Sequence, residues 1–275
     1  MCRVLRVAVS AYYAFIQRPP SPRSLSDAQL RAKIEEVFHG FRGRYGSPRI
    51  YRELRKQGVL CSEKRVARLM RELELAASRP RRFVMTTDSK HGRPVAPNHL
   101  DRKYQVEAIK GLNQAWAGDI TYIPTAQGWL YLAVVLDLKS RRVIGWSMAD
   151  NMESQLVQDA FRLAAKQRVS PGEKPELLFH SDRGSQYASQ GFQAQLLNLK
   201  VQPSMSGKGD CWDNAPIESF FATLKKELVY REKYLTHEQA RASLFEYIEV
   251  FYNRQRAHST LGYLSPVEFE QRTLN

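Results

Sequence analysis

The sequence predicts an α/β protein in which a mixed five-stranded sheet, flanked by helices, follows a small all-α domain of the helix-turn-helix kind. Residues 26–75 have the apolar spacing of helices. From about residue 115 the apolar residues instead form three short β-branched and aromatic runs separated by turn residues. Beyond residue 150, helical and strand patterns alternate, which is typical of a sheet covered by helices on both faces.

Charge is distributed unevenly along the 275 residues. The chain carries 42 Lys and Arg against 28 Asp and Glu, a net charge of +14. Residues 1–100 contain 21 basic and 8 acidic side chains, so nearly all of the excess lies there and residues 101–275 are almost neutral. A cationic N-terminal region indicates a polyanionic partner, most simply double-stranded DNA. The alternative is a basic face that contacts only solvent.

Composition argues against several classes of protein. Apolar residues make up 43% of the chain, enough for a buried core and too many for a disordered chain. No stretch approaches the ~20 apolar residues of a membrane span, so no membrane partner is expected. Cys2, Cys61 and Cys211 are far apart and form no C-x-x-C pair. This spacing argues against disulfides and structural zinc and favours a reducing cytoplasm.

The first domain, residues 1–75, is predicted to be a helix-turn-helix region that binds DNA. Ser26 is placed to cap one helix, Ser47 to cap a second and Ser62 to cap a third. The third helix has an apolar stripe and a basic face, so we expect it to enter a DNA groove. The basic residues near its N-terminal half are Lys64, Arg65 and Arg68. A plain helical hairpin with a charged outer face is the alternative.

A linker is predicted at residues 76–103, because prolines interrupt a stretch rich in Arg, Ser and Thr. The second domain, residues 104–275, then begins with the runs AWAGDITYIP, WLYLAVVLD and RRVIGWSM, which predict three antiparallel strands. ELLFHSD and KVQP predict two further strands, alternating with helices over 153–168 and 190–199. A long helix from about Asp213 to Val229 and a last helix over 237–252 complete the prediction.

Three acidic residues of the second domain stand out by their positions. Asp119 lies inside an apolar strand, where a carboxylate is costly unless it is paired or binds a metal. Asp182 ends the fourth strand and Glu218 lies in the first turns of the long helix. Each alone is weak evidence, since a strand-end Asp often caps a turn and an early-helix Glu often faces the helix dipole. Together they provide the hard oxygen ligands that Mg²⁺ prefers, and two ions ~4 Å apart can promote phosphodiester chemistry.

Two further residues near these carboxylates are candidates. Glu218, Ala222 and Lys225 share one face of the long helix, so Lys225 could reach a DNA phosphate beside the metals. A solvated lysine is the alternative interpretation. His180, two residues before Asp182, could act as a ligand or a base, although a single histidine in an apolar strand is more often structural.

Four segments carry a family likeness: GDITYI, HSDRGSQY, GKGDCWDNAPIESFFATLKKEL and FYNRQRAHSTLGYLSPVEF. With the front of the chain and the segment YGSPRIYRELR, they resemble bacterial insertion-sequence transposases related to retroviral integrases. The likeness is to the kind encoded by two overlapping reading frames, and this chain is similar to the second-frame product. It covers nearly the whole sequence, and agreement of these motifs in order and spacing is highly specific.

The resemblance implies a ribonuclease H-like fold and a catalytic triad. Asp119, Asp182 and Glu218 match the Asp-Asp-(35)-Glu pattern that holds two divalent ions, Mg²⁺ with Mn²⁺ as a substitute. Lys225 matches the basic residue that contacts the end of the element. The implied reaction is 3′-end cleavage at the terminal repeats, followed by strand transfer into target DNA. The implied assembly is a homo-oligomer on DNA, with the first-frame product as a further partner or fused to the chain, in the bacterial cytoplasm and associated with the nucleoid.

Three hypotheses follow. The first is a metal-dependent DNA transposase, that is, a DNA endonuclease and strand-transferase. The second is a non-catalytic DNA-binding protein, such as a repressor or an inactive remnant of an element, which would use only residues 26–75. The third is a ribonuclease H or resolvase with the same metal core. The intact triad favours the first over the second, and the basic first domain and the resemblance favour it over the third.

Overall fold

The computed structural model of the protein describes residues 4, 7–77, 94–170, 172, 175–207 and 211–274. The chain divides into two compact units, Met1–Ser78 and Arg79–Asn275. Residues 78–93, most of the predicted linker, lie outside the described residues, as does Cys2. Among the described residues, each helix is too short or too polar to cross a lipid bilayer.

The first unit is helical, as predicted. Its helices, as far as the described residues extend, are α1 (Val9–Ile16), α2 (Pro22–Gly40), α3 (Ser47–Lys56) and α4 (Glu63–Glu72). The predicted cap at Ser26 is wrong, because α2 begins one turn earlier. Ser21 accepts a hydrogen bond from the Ser24 N–H at 3.1 Å. Pro22 follows it in the first turn, where its missing N–H costs nothing.

Helices α3 and α4 form the predicted pair. Gly46, rather than Ser47, is the N-cap residue of α3. Past the end of α3, Gly58 has a φ of +77°, a backbone conformation that glycine adopts without strain. Ser62 caps α4 as predicted and accepts a hydrogen bond from the Arg65 N–H at 3.3 Å. The apolar residues of both helices are buried together: Ile50, Leu54, Val66, Leu69 and Met70.

The second unit contains the predicted mixed sheet. Its strands are β1 (Ala115–Thr125), β2 (Gly128–Asp137), β3 (Val143–Ala149), β4 (Leu178–Ser181) and β5 (Gln202–Met205). Their order across the sheet is β3-β2-β1-β4-β5. The first three strands pair antiparallel as two hairpins, and β4 and β5 run parallel to β1.

One face of the sheet is covered by helices α5 (Ser154–Arg168) and α6 (Gln190–Asn198). Trp116, Phe161, Phe179 and Phe192 are almost fully buried there and contact one another mainly edge to face, with centroids 5.2 to 6.1 Å apart. Such aromatic pairs add to the stabilisation that burial of their area provides. This core fixes β1 and β4, the strands that carry the first two acidic candidates.

The C-terminal helices are α7 (Ala215–Glu227), α8 (His237–Phe245) and α9 (Pro266–Leu274). The predicted last helix over 237–252 is interrupted, because α8 continues from Glu246 to Tyr252 as a π-helix. Helix α7 is anchored at its end by a buried ion pair. The Arg256 guanidinium donates to both oxygens of Glu227 at 2.9 Å, and the Tyr247 hydroxyl donates to Oε2 at 2.9 Å.

Helix α9 was not predicted. Its Glu270 binds side chains from two other parts of the second unit. The carboxylate, only 4% exposed, accepts hydrogen bonds from Arg142 and Ser140 in the turn between β2 and β3. It also accepts them from Arg168 at the end of α5. A buried carboxylate is stable only when it is paired in this way.

Candidate active site

The sheet register brings Asp119 and Asp182 to the same level of two neighbouring strands. Gly118 of β1 pairs with Ser181 of β4, and the two strands are parallel. The residue that follows Gly118 is Asp119, and the residue that follows Ser181 is Asp182. Gly118 leaves room for the Phe179 ring against β1, because a Cβ there would lie 2.4 Å from that ring.

Glu218 approaches from the first turn of α7, which packs against β1. Its electrostatics show that it belongs to the same cluster. Burial raises the pKa of Asp119 well above its usual range, and the negative charges of Asp182 and Glu218 raise it further. The pKa of Glu218 is raised by burial and then by Asp182. The structure therefore brings the three predicted carboxylates together.

Two backbone hydrogen bonds orient the carboxylates. Oδ1 of Asp119 accepts from the N–H of Ile120 at 2.7 Å. Oδ1 of Asp182 accepts from the N–H of Gly184 at 2.9 Å. Each carboxyl group has a second oxygen with further acceptor capacity. The oxygens of the cluster thus provide a donor set for a hard cation.

Lys225 lies at the edge of this cluster, two turns after Glu218. Burial lowers its pKa, while the charge of Asp119 acts in the opposite direction. Its Nζ lies 4.7 Å from the centre of the Tyr122 ring, a cation–π contact. The Tyr122 ring meets the half-exposed Trp129 edge to face, with centroids 4.8 Å apart. The predictions from sequence missed both aromatic residues, although the position of Tyr122 in GDITYI was a signal.

The residues present fit a divalent metal, although they do not enclose one closely. In the described parts of the chain, no three His, Cys, Asp or Glu side chains are grouped tightly enough to hold an ion as they stand. The negative charge of Asp182 nevertheless raises the pKa of both Asp119 and Glu218, and a divalent cation would relieve this repulsion between the carboxylates. Asp119, Asp182 and Glu218 are the residues that would hold it.

His180 has a structural environment. Its side chain is fully buried between β4 and β5, where Nδ1 lies 2.9 Å from the Ser204 hydroxyl and Nε2 lies 3.2 Å from the Ser206 hydroxyl. Burial lowers its pKa to about 4, so it is neutral at neutral pH. With both ring nitrogens engaged by serines, the ring links two strands.

Sequence analysis also missed Asp213, which braces the chain just before α7. It accepts hydrogen bonds from the side chains of Asn98 and Arg102 at 2.9 Å and from the N–H of Gly207 at 2.7 Å. Residues 98–102 belong to the predicted linker, yet in the described structure they are part of the second unit and contact its Asp213. The bracing holds the start of the helix that carries Glu218.

In the first unit, the three candidate DNA contacts differ in their surroundings. Lys64 is exposed on α4. Arg65 and Arg68 both form ion pairs with Asp27 of α2, at 2.6 and 2.7 Å, and the Asp27 residue is only 6% exposed. The two guanidinium groups hold the pKa of Asp27 below its usual value, against the effect of burial. The signal for this contact was in the sequence, since Asp27 shares the apolar stripe of α2.

Comparison with known families defines the class. The family model described as Integrase core domain matches residues 110–211, and a second model of the same description matches 218–274. An HTH-like domain matches residues 24–83. The protein therefore joins an HTH-like domain to an integrase core, in agreement with the helix-turn-helix and mixed sheet predicted from the sequence.

Relatives with closely similar sequences give the particular family. "Transposase InsF for insertion sequence IS3A" of Escherichia coli (strain K12) is 45% identical over 278 residues, which is 100% of this chain and 94% of that protein. A 31 kDa protein of insertion element IS600 from Shigella sonnei is 39% identical over 99% of this chain and 98% of its own. The chain belongs to this family of insertion-sequence transposases, within the integrase superfamily.

Solved structures include more distant neighbours. The HTLV-2 integrase catalytic core domain, determined in complex with magnesium, is 18% identical with a TM-score of 0.43 and covers 57% of this chain and 96% of its own. The catalytic domain of Mos1 mariner transposase is 15% identical with a TM-score of 0.44 and covers 56% and 85%. Family membership and the observed sheet confirm the ribonuclease H-like fold.

Proposed function

We propose that this protein is a DNA transposase that cleaves the 3′ ends of its insertion element and transfers them to target DNA. The observation that carries the proposal is the cluster of Asp119, Asp182 and Glu218. They come from two neighbouring strands and a helix, and their charges act on one another. When bound, two Mg²⁺ ions would activate the attacking oxygen and stabilise the leaving oxygen, and Mn²⁺ could substitute.

The residues of the chain have separate tasks in this reaction. Asp119, Asp182 and Glu218 hold the ions, so no side chain needs to act as the nucleophile. Lys225, held over Tyr122, is positioned to donate to a phosphate oxygen at the element end. The aromatic contact and partial burial restrict the lysine side chain, which lowers the entropy lost when it binds DNA.

A nicking assay tests the chemistry. Supercoiled plasmid carrying the element ends is incubated with Mg²⁺ and with the wild type or the variants Asp119→Asn, Asp182→Asn and Glu218→Gln. Each variant keeps the shape of the side chain and removes its charge, so we expect nicking and joining to be lost while DNA binding is retained. Asp150→Asn, at an exposed carboxylate outside the cluster, is the matched control.

The outcomes separate the three hypotheses. A non-catalytic DNA-binding protein would bind the element ends and nick nothing, in the wild type as in the variants. A ribonuclease H would cleave an RNA–DNA hybrid in preference to the plasmid. Near wild-type nicking by Asp119→Asn would contradict its assignment. Lys225→Ala should weaken cleavage more than Lys226→Ala, the same change on the adjacent residue.

We further propose that the domains divide the work, with residues 1–75 binding duplex DNA, 76–103 linking, and 104–275 carrying the chemistry. Phosphate contacts by Lys64, Arg65 and Arg68 would make binding salt-dependent, with a slope near 0.9 per contact. Lys64→Ala should lower affinity without lowering the melting temperature, because Lys64 is exposed. Arg65→Ala and Arg68→Ala should lower both, since each also removes an ion pair to Asp27. Unchanged salt slopes in all three would contradict the DNA-binding assignment.

The assembly follows from the reaction, since two element ends must be joined to one target. We propose a homo-oligomer on DNA, in the bacterial cytoplasm and associated with the nucleoid. Light scattering of the protein with and without duplex ends would measure the assembly. Addition of the first-frame product would show whether it takes part.

A further inference from the structure

A pocket of about 180 Å³ lies beside the first turns of α7, on a flank of the helix different from the carboxylate cluster. Its lining includes Ser219 and Thr223 of α7, Arg141 of the turn between β2 and β3, and His258 and Thr260 of the HSTLGY segment. None of the triad carboxylates lines it. A volume of this size accommodates several water molecules or one phosphate group.

Arg141 gives the pocket an unusual electrostatic property. The residue is 7% exposed, and its Nη2 donates to the carbonyl oxygen of Tyr104. Its Nη1 is buried and has no hydrogen-bond partner. Leaving a buried charged donor unsatisfied is expensive, and arginine does not escape the cost by losing its proton.

The remaining lining also favours an anion. The ten described residues that line the pocket include no acidic side chain. Ala215 and Pro216, the first residues of α7, contribute to it, so the positive end of the helix dipole lies at the pocket. The hydroxyls of Ser219 and Thr223 are hydrogen-bond donors, and the Thr260 hydroxyl lies 2.8 Å from Nδ1 of His258, which also lines the pocket. Ser219 and Thr260 are exposed, which gives access from solvent.

We propose that this pocket binds a backbone phosphate of the DNA strand that enters the active site. The inference rests on the proposed function and names a second subsite of the same strand. Pro216 and Ser219, which line the pocket, lie on either side of Glu218 along α7, so the pocket and the cluster are at the same turns of the helix, whose pitch is ~5.4 Å. Nucleotides rise ~3.4 Å along a strand. A phosphate in the pocket is therefore within a few nucleotides of the one at the triad.

The test measures DNA affinity without chemistry, using the full chain, a short duplex of the element end, and EDTA. Thr260→Asp places a negative charge at the exposed side of the pocket, and Thr260→Asn is the neutral control of the same shape. We expect Thr260→Asp alone to lower affinity roughly tenfold and to reduce the salt slope by about 0.9, the value for one lost phosphate contact. Equal affinity and slope for the two variants would overturn the proposal.

A second pair of variants identifies the source of the phosphate. Arg141→Gln should lose the same contact, and Arg141→Lys should retain most of it. Duplexes with one methylphosphonate at successive positions should show a position that weakens the wild type and leaves Arg141→Gln unaffected. If millimolar inorganic phosphate raises the melting temperature of the wild type but DNA affinity is the same in every variant, the pocket binds free phosphate and the DNA assignment is wrong.

These measurements fail separately from the proposed function. A chain that nicks no plasmid but shows the Thr260 and Arg141 effects would refute the transposase chemistry and retain the phosphate pocket. A chain that nicks normally with no such effects would retain the chemistry and refute the pocket. The Thr260 variants keep the test valid if Arg141→Gln fails to fold after losing its bond to Tyr104.

Discussion

Replacing Arg256 with Met should destabilise the second unit strongly. Arg256 and Glu227 are both about 5% exposed and form two hydrogen bonds of 2.9 Å, so the substitution leaves a buried carboxylate that has lost this cationic partner, while the Tyr247 hydroxyl still donates to it. Removing one member of a buried ion pair costs about 3–5 kcal/mol. With an m-value of roughly 2 kcal/mol/M, the urea midpoint should fall by about 2 M.

The assay is urea denaturation followed by tryptophan fluorescence. All four tryptophans, Trp116, Trp129, Trp146 and Trp212, follow residue 104 in the sequence, so the signal reports the second unit alone. It therefore avoids mixing the unfolding of two units in one transition.

Two controls make this test specific. Arg254→Met makes the same change at an exposed position two residues away and should move the midpoint little. Adding Glu227→Gln to Arg256→Met removes the buried negative charge and should recover most of the loss, because the penalty comes from a buried carboxylate that has lost the Arg256 cation. A double variant as unstable as the single one, or a single variant as stable as Arg254→Met, would refute this reasoning.

Further predictions concern three other sites. His180 is neutral when folded, with a pKa of about 4, and takes up a proton more readily when unfolded, at its ordinary 6.5. Stability should therefore fall by up to ~3 kcal/mol as the pH drops from about 6.5 to about 4, and parallel urea midpoints for wild type and His180→Asn across that range would contradict this. Gly118→Ala, whose Cβ would lie 2.4 Å from an aromatic carbon, should lower stability by about 1–3 kcal/mol. Gly111→Ala, which meets only a glutamine side chain at 3.4 Å, should not. Asp27→Asn should make the first unit easier to digest with trypsin, whereas Glu72→Gln, at a more exposed partner of Arg68, should have a smaller effect; equal digestion rates would argue against Asp27 as the anchor of α4.

The strands and the carboxylate cluster could be predicted because they depend on local patterns. Alternating apolar runs and turn residues predicted the antiparallel strands β1, β2 and β3, and the alternation of helices and strands that follows predicted a mixed sheet. Asp119 stood out because a carboxylate inside an apolar strand is costly unless it is paired or binds a metal. The resemblance then implied a shared metal-binding role for the three acids.

Features that depend on distant partners were not predicted. Helix α9 has a local signal that was missed, a capping box in which Ser265 and Glu268 each accept a hydrogen bond from the N–H of the other. The contacts of its Glu270 with Arg142 and Arg168 could not be predicted, because these partners lie more than a hundred residues away. The pairing of Arg65 and Arg68 with Asp27 joins positions 38 and 41 residues apart, and without it both arginines look like free DNA contacts. The start of α2 was misplaced for a local reason, since two serines five residues apart both satisfied the capping pattern.

The carboxylate of Glu270 also has a consequence for the gene that encodes this chain. A stop codon between positions 261 and 270 would spare every residue proposed to contact DNA or metal. It would still remove the Glu270 carboxylate, with which Arg142 and Arg168 are paired. Copies of the element that stop between these positions should therefore encode an unstable protein and be as inactive as copies interrupted in the middle of the reading frame.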